Sequence, residues 1–121
     1  MKNIISAVVL VMLSVTVSFP AFALGGLEFL SKAPVSYFTP EDSELFKNTL
    51  YDLLDNQPDG KTVKWLNQET GHSGKMQSTK SFTIEELPCR TVKIFHSAGG
   101  MTGQGKFDFC KQGEGSWKIA P

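Results

Sequence analysis

The spacing of apolar residues along this chain changes at Gly60 from a helical period to an alternating one. Before Gly60, apolar residues recur at intervals of three and four, which predicts one amphipathic helix. After it, they alternate with polar residues, which predicts strands with one apolar face. This order favours an α+β fold in which one N-terminal amphipathic helix packs on an antiparallel β-meander of four to five strands.

The sequence marks both ends of the helix. Thr39 is a residue type that caps free backbone amides, and Pro40 suits the first helical position. We expect the helix to end near Asp55, because asparagine, proline and glycine follow it. Asp52 and Asp55 lie unfavourably near the negative end of the helix dipole. The apolar stripe consists of Leu45, Phe46, Leu50, Leu53 and Leu54.

Five segments after Gly60 carry apolar residues on one face, and turn-forming residues separate them. The connections are short, so neighbouring strands are expected to be antiparallel. Within each segment we expect these residues to share a face: Val63 and Trp65; Met76, Phe82 and Ile84; Val92 and Ile94; Phe107 and Phe109; Trp117 and Ile119.

The strongest hairpin signal is the pair Gly99-Gly100, because a two-residue turn needs positive φ angles that glycine adopts readily. A turn at this pair would place Cys89 opposite Cys110. The same register places Lys93 opposite Lys106, which is a repulsive pair. A bulge at Gly103 or Gly105 would shift the pairing.

The two cysteines, Cys89 and Cys110, predict one disulfide if the chain is exported. A metal pair or a catalytic thiol is the alternative, but the chain has no Cys-x-x-Cys and no histidine close to either cysteine. Closing a loop of this size stabilises a small domain by about 3 kcal/mol in the chain-entropy model.

The N-terminus has the pattern of a secretory signal peptide. Lys2 precedes the apolar run Ile4–Val17, and the triplet 21–23 offers small residues for cleavage between Ala23 and Leu24. The run holds 14 residues, whereas a spanning helix needs about 20, so cleavage is favoured over retention as a membrane anchor. The predicted organisation is a cleaved signal peptide at 1–23, an extended lead-in at 24–38 and one domain at 39–121.

Charge excludes some classes of partner. The chain has 12 basic and 12 acidic residues, with a single arginine, Arg90. A nucleic-acid-binding protein normally has a clustered basic face, so no nucleic-acid partner is expected. We also expect no integral membrane anchor after cleavage, and a periplasmic or secreted location.

The segment from about 58 to 119 resembles the C-terminal domain of the 17 kDa surface antigen family of bacterial outer-membrane proteins. The matching pieces, in order, are Gly60-Lys61-Thr62-Val63-Lys64-Trp65, Thr70-Gly71-His72-Ser73-Gly74, Cys89-Arg90, Phe109-Cys110 and Gly115-Ser116-Trp117-Lys118-Ile119. The resemblance implies an envelope location and a small β-rich fold. Members of that family commonly carry a lipid-attachment cysteine and a glycine zipper, which this sequence lacks, so the resemblance does not imply outer-membrane attachment.

The sequence offers no catalytic, cofactor-binding or metal-binding residues that we would assign. His72 and His96 are too few ligands for a usual metal site, and we expect both to be exposed. Glu85-Glu86 is an adjacent acid pair that normally points apart into water, and Gly103-Gln104-Gly105 lacks the third glycine of a nucleotide-binding motif. The serines Ser73, Ser78, Ser81, Ser97 and Ser116 lie outside any Gly-x-Ser-x-Gly motif.

The remaining signals concern the two faces of the predicted sheet. We expect Trp65, Trp117, Phe107 and Phe109 to lie in the core. The polar face carries Lys64, Lys75, Lys93, Lys106 and Lys118. Such a face suits contact with an anionic envelope polymer, or it is a solvated surface that discourages edge pairing.

These patterns predict a non-enzymatic exported envelope protein, acting as a surface-antigen-like binding or structural accessory module with an envelope protein or cell-wall component as partner. The alternative is a periplasmic inhibitor of a cell-wall hydrolase, which would use a protruding charged loop such as 67–71 or 97–101. A small hydrolase is the third class; it would need His72 or His96 bonded to a serine or carboxylate in a pocket.

Overall fold

The computed structural model describes residues 32–120. The predicted signal peptide, its cleavage site Ala23–Leu24 and residues 24–31 of the lead-in lie outside this range. The described chain forms helices α1 (Lys32–Val35) and α2 (Pro40–Asn56) and strands β1 (Thr62–Leu66), β2 (Ser73–Ile84), β3 (Leu87–Ala98), β4 (Met101–Lys111) and β5 (Trp117–Ile119).

The five strands form one antiparallel sheet in the order β1-β2-β3-β4-β5. Each strand therefore pairs with its neighbours in sequence, which is the meander that the short connections predict. Helix α2 packs against one face of this sheet, so the α+β prediction is confirmed. Neither described helix is long and apolar enough to cross a membrane.

Helix α2 begins and ends close to the predicted positions. The side chain of Thr39 accepts a hydrogen bond from the Asp42 amide, and the Asp42 carboxylate accepts one from the Thr39 amide, which completes a reciprocal capping box. The helix buries Phe46, Leu50, Leu53 and Leu54 against the sheet. The sheet residues buried in the same core are Trp65, Met76, Val92, Ile94, Phe109 and Trp117.

The register of β3 and β4 is the one expected from a turn at Gly99-Gly100. Cys89 lies opposite Cys110, and Lys93 lies opposite Lys106. The pairing is continuous past Gly103 and Gly105, so the bulge considered at those glycines does not form. The disulfide between Cys89 and Cys110 is present and joins directly opposed residues.

A bulge lies instead in β2, between Ser78 and Lys80. Met76 precedes the bulge and is buried against the helix side, whereas Phe82 pairs with Cys89 on the opposite face. The prediction that Met76, Phe82 and Ile84 share one face is therefore wrong. The extra residue reverses the alternation for the outer half of the strand.

The two hairpin turns that flank β3 have the same backbone conformation but different residues. Gly99 and Gly100 have φ values of 60° and 75°, and Glu85 and Glu86 have φ values of 48° and 68°. Glycine adopts this left-handed region freely, whereas a residue with a Cβ atom is strained there. The Glu85-Glu86 turn is therefore the strained one of the two.

The lead-in before α2 contains a short helix, α1, where we expected extended chain. After it, the aromatic ring of Tyr37 lies over the β3–β4 turn, where a Cβ atom on Gly99 would come within 2.5 Å of that ring. Phe38 packs edge-on to Trp65, with ring centroids 5.3 Å apart. The end of the lead-in is thus held to the sheet by aromatic contacts.

Candidate functional site

The sheet has two faces with different surroundings. The face that packs against helix α2 is called the covered face here, and the other is the open face. Opposed residues in a sheet share a face, and the observed register therefore assigns each strand residue to one of them. The lysines on the open face are Lys64, Lys75, Lys80, Lys93, Lys106 and Lys118.

The open face is strongly basic. The register places all five lysines predicted for the polar face on it, and the β2 bulge adds Lys80. Among the strand residues described, Asp108 is the acidic residue of this face, and it accepts a hydrogen bond from Thr91. Within residues 32–120, none of the six lysines lies within ion-pair distance of an acidic side chain.

Two lysine pairs on this face are directly opposed across neighbouring strands. Lys64 lies opposite Lys75 in β1 and β2, and Lys93 lies opposite Lys106 in β3 and β4. Side chains in such positions have Cβ atoms about 5 Å apart, so two like charges repel. The native sheet therefore keeps two unfavourable pairs on its uncovered side, which is typical of a functional surface.

A groove of about 700 Å³ runs across the open face between these pairs. Phe95 lies at its centre, half-buried, with the Lys75 ammonium 5.4 Å from the ring centroid. This volume lies within the range of roughly 300–1,000 Å³ that is usual for small-ligand sites. The side chains that line the groove include Lys75, Gln77, Lys93, Phe95, Gln104 and Lys106.

The acidic residues of helix α2 lie on the other side of the sheet, and several hold the fold together. Asp55 accepts hydrogen bonds from the indole nitrogen of Trp117 at 2.9 Å and from the ammonium group of Lys111 at 3.3 Å. Asp52 accepts from the amides of Asn56 and Gln57. These contacts explain why two acids are tolerated near the negative end of the helix dipole.

The side chain of Arg90, which lies on the covered face, caps the C-terminal end of helix α2. Its guanidinium donates to the backbone oxygens of Leu53 and Leu54 at 2.7 and 3.0 Å, and to Asp59 at 2.9 Å. Free carbonyl groups at a helix end need such donors, and a cation is favoured there. The hydrogen bond from Arg90 lowers the pKa of Asp59. The single arginine is therefore structural.

His72 is part of a buried hydrogen-bond cluster around Asp42. Its Nδ1 atom lies 2.7 Å from the Asp42 carboxylate, which also accepts from Asn67 and Thr70 at 2.9 Å each. The Nε2 atom of His72 accepts a bond from the Gly99 amide at 3.4 Å. The cluster ties the helix start to the β1–β2 and β3–β4 turns, and both ring nitrogens of His72 are used in it.

The donors in this cluster set the ionisation of Asp42. Burial alone would raise the pKa of its carboxyl group, but hydrogen bonds from His72, Thr39, Thr70 and Asn67 outweigh burial and lower that pKa to about 2. Asp42 is fully buried, so its charge depends on these partners. The sequence shows Asp42 only as a helix-start acid; the contacts with a turn 25 to 30 residues away had no local signal.

His96 is buried on the covered face, contrary to our expectation that it would be exposed. Its ring meets Phe38 edge-on, with centroids 6.0 Å apart. Among the described residues neither of its nitrogens has a hydrogen-bond partner, and burial lowers the pKa of the ring. Alternation along β3 with Val92 and Ile94 was the signal that could have placed His96 inside.

The other residues considered for chemistry take up ordinary positions. Ser78 and Ser81 both donate to Asp59, and Ser116 donates to Glu114. No group of three metal-ligating side chains occurs in the described part of the chain. The core expectation is confirmed for the aromatic residues: Trp65, Trp117 and Phe109 are buried, and Phe107 packs against the core.

Comparison of the chain with known protein families, curated proteins and solved structures finds no match. The resemblance to the 17 kDa surface antigen domain therefore stays a prediction.

Proposed function

We propose that this protein is a non-enzymatic, exported module that acts by contact, and that its open face binds an anionic component of the cell envelope. The observation that carries the proposal is the group of six lysines on the open face, none of which forms an ion pair with an acidic side chain among residues 32–120. Opposite charges across an interface speed encounter and favour the right partner. The two opposed lysine pairs would be relieved of their repulsion by an anion lying between them.

The charge distribution of the whole molecule supports the same partner class. Helix α2 carries Glu41, Asp42, Glu44, Asp52 and Asp55 on the covered side and has one lysine, Lys47, whereas six lysines lie on the open side. The balanced total of basic and acidic residues hides this separation. A segregated field of this kind orients a charged partner towards one face, so an anionic surface would meet the lysines first.

Export is the other half of the proposal. The signal-peptide pattern that ends at Ala23 and the disulfide are both compatible with a periplasmic or secreted protein. The resemblance to a surface antigen domain supports an envelope location as well. Mass spectrometry of the protein purified from an expressing bacterium tests this half: a chain beginning at Leu24 with no free thiols is expected.

Inhibition of a cell-wall hydrolase has less support, because hydrogen bonds fix the two loops suggested for it against the rest of the fold. The turn at 67–71 is fixed by the buried side chain of Asn67, and the turn at Gly99-Gly100 is bonded to His72. A loop that enters an enzyme cleft has to protrude, whereas these turns are anchored to the Asp42 cluster.

Co-sedimentation with isolated envelope fragments tests the binding half. The processed protein is mixed with fragments at about 20 mM and about 300 mM salt, since salt screens contacts between exposed charges. We expect the protein to pellet at low salt and to be released at high salt. The double variant Lys93→Gln/Lys106→Gln is expected to remain largely in the supernatant at both concentrations.

A matched control variant removes two positive charges from the covered side instead of the open face. Lys47 lies on helix α2 and Lys111 bonds to Asp55 on the covered side. The variant Lys47→Gln/Lys111→Gln therefore has the same net charge as the open-face variant and is expected to pellet like the wild type. Equal loss of binding in both variants would show that only net charge matters and would overturn the proposed role of the open face.

A further inference from the structure

The groove on the open face combines cations, amides and one aromatic ring in two adjacent cross-strand rows. The first row runs from Gln77 through Lys93 to Lys106, and the second from Lys75 through Phe95 to Gln104. Phe95 is therefore flanked by a lysine on one side and a glutamine on the other. A surface that only attracted anions would need the lysines but neither the ring nor the amides.

Each group in the groove matches a different part of an acidic sugar. Two opposed ammonium groups, those of Lys93 and Lys106, can both contact one carboxylate or phosphate. The amides of Gln77 and Gln104 can donate and accept hydrogen bonds, as sugar hydroxyl groups also do. The half-buried ring of Phe95 offers a flat apolar surface for the C–H face of a sugar ring.

We propose that this groove binds an acidic saccharide, with the acid group between Lys93 and Lys106 and a sugar ring on Phe95. The inference rests on the proposed function and names the ligand class of the same face. The groove volume of about 700 Å³ suits a short oligosaccharide segment. An acidic peptide or a membrane surface would use the lysines but has no need of an aromatic ring between a lysine and a glutamine.

Calorimetric titration tests the ligand class. The full chain is expressed for export, and the processed protein is titrated with oligogalacturonate, with poly-L-glutamate of matched charge, and with neutral maltotriose. We expect oligogalacturonate to bind about fivefold more tightly than poly-L-glutamate, since a stacked ring adds about 1 kcal/mol. Maltotriose lacks the acid group and is expected to bind too weakly to measure.

Variants separate the ring from the charges. Phe95→Leu keeps an apolar side chain without a flat face, so it should lower the affinity for oligogalacturonate about fivefold and leave that for poly-L-glutamate unchanged. Phe95→Tyr keeps the ring and should bind like the wild type. Lys93→Gln should weaken both anions. Thermal unfolding of each variant checks that the fold is retained.

The failure of this inference can be told apart from the failure of the proposed function. If poly-L-glutamate binds as tightly as oligogalacturonate and Phe95→Leu changes neither, the groove is a general anion site and the saccharide assignment is overturned. The envelope-binding proposal would survive that result, because it depends on the lysine variants alone. If no anion binds the protein in titration, the saccharide inference fails outright.

Discussion

The covered and open faces of the sheet differ in how their charged side chains are paired. On the covered side, the buried charged groups of Asp42 and Arg90 have several specific partners each. On the open face, none of the six lysines forms an ion pair with an acidic side chain among the described residues. The side chains that stabilise the fold and those that display charge are therefore largely separate in this domain. One face can therefore be changed with little cost to the other.

The largest loss of stability is expected from a cavity in the core between helix α2 and the sheet. Phe46 is fully buried in the core, so Phe46→Ala should lower the free energy of unfolding by about 3–5 kcal/mol. Urea denaturation followed by circular dichroism measures it. Phe95→Ala on the open face is the matched control, and its loss should be much smaller. Equal losses from both variants would remove the distinction between the faces.

The disulfide Cys89–Cys110 lies on the open face but is expected to stabilise the fold. It closes a loop with a sequence separation of 21, so Cys89→Ala/Cys110→Ala should lower the free energy of unfolding by about 3 kcal/mol. Denaturation of the wild type with and without a reductant should give a shift of similar size. A wild-type stability that does not respond to the reductant would contradict the assigned role of the bond.

The Asp42 cluster gives the covered side a defined dependence on acid. The pKa of Asp42 falls from 3.8 to about 2 on folding. A lowered folded-state pKa adds stability above the unfolded value, which disappears as pH falls towards 2; the difference is about 2 kcal/mol. Denaturation at a series of pH values between 6 and 2 measures it.

The control for this pH series is an exposed acid on the same helix. Asp42→Asn should remove most of the fall in stability between pH 4 and pH 2, whereas Asp52→Asn should leave it in place. Asp52 accepts hydrogen bonds from the exposed side-chain amides of Asn56 and Gln57. An unchanged fall in the Asp42 variant would mean that other carboxyl groups cause the acid sensitivity.

A small gain in stability is expected from a substitution on the open face. Lys93→Gln removes one member of an opposed lysine pair, so it should raise the free energy of unfolding by up to about 0.5 kcal/mol at low salt. High salt should abolish the gain, since it screens the repulsion. Thermal melting at two salt concentrations measures it. A clear loss of stability would show that this lysine supports the fold.

The sequence predicts the fold best where the conformational preference of a few neighbouring residues also determines the pairing of distant ones. The residue pair Gly99-Gly100 predicted both the turn and its register, and the register predicted the opposed cysteines. Helix α2 is predicted equally well, because its N-cap, its proline and its apolar stripe all indicate a helix over the same residues. Each of these signals depends on the preferred geometry of a few neighbouring residues.

The features that sequence reasoning missed depend on contacts between distant segments. The bulge after Ser78 has no glycine to mark it, so Lys80 was not assigned to the open face. The bonds from Asn67 and His72 to Asp42 join residues that only the packed fold brings together. His96 is buried with no hydrogen-bond partner among residues 32–120, which runs against the usual preference for hydrogen-bonded buried groups.

The bulge in β2 has a consequence for how this domain tolerates insertions and deletions. Removing Thr79, the extra residue of the bulge, would make the pairing of β2 with β3 continuous, because Ser78 already lies opposite Val92 and Lys80 opposite Thr91. Phe82 and Ile84 would therefore keep their places on the open face. The loss of a single codon at this position would thus preserve both surfaces of the outer hairpin and leave the lysine groove in place, whereas a one-residue shift in a regular part of a strand inverts every side chain beyond it.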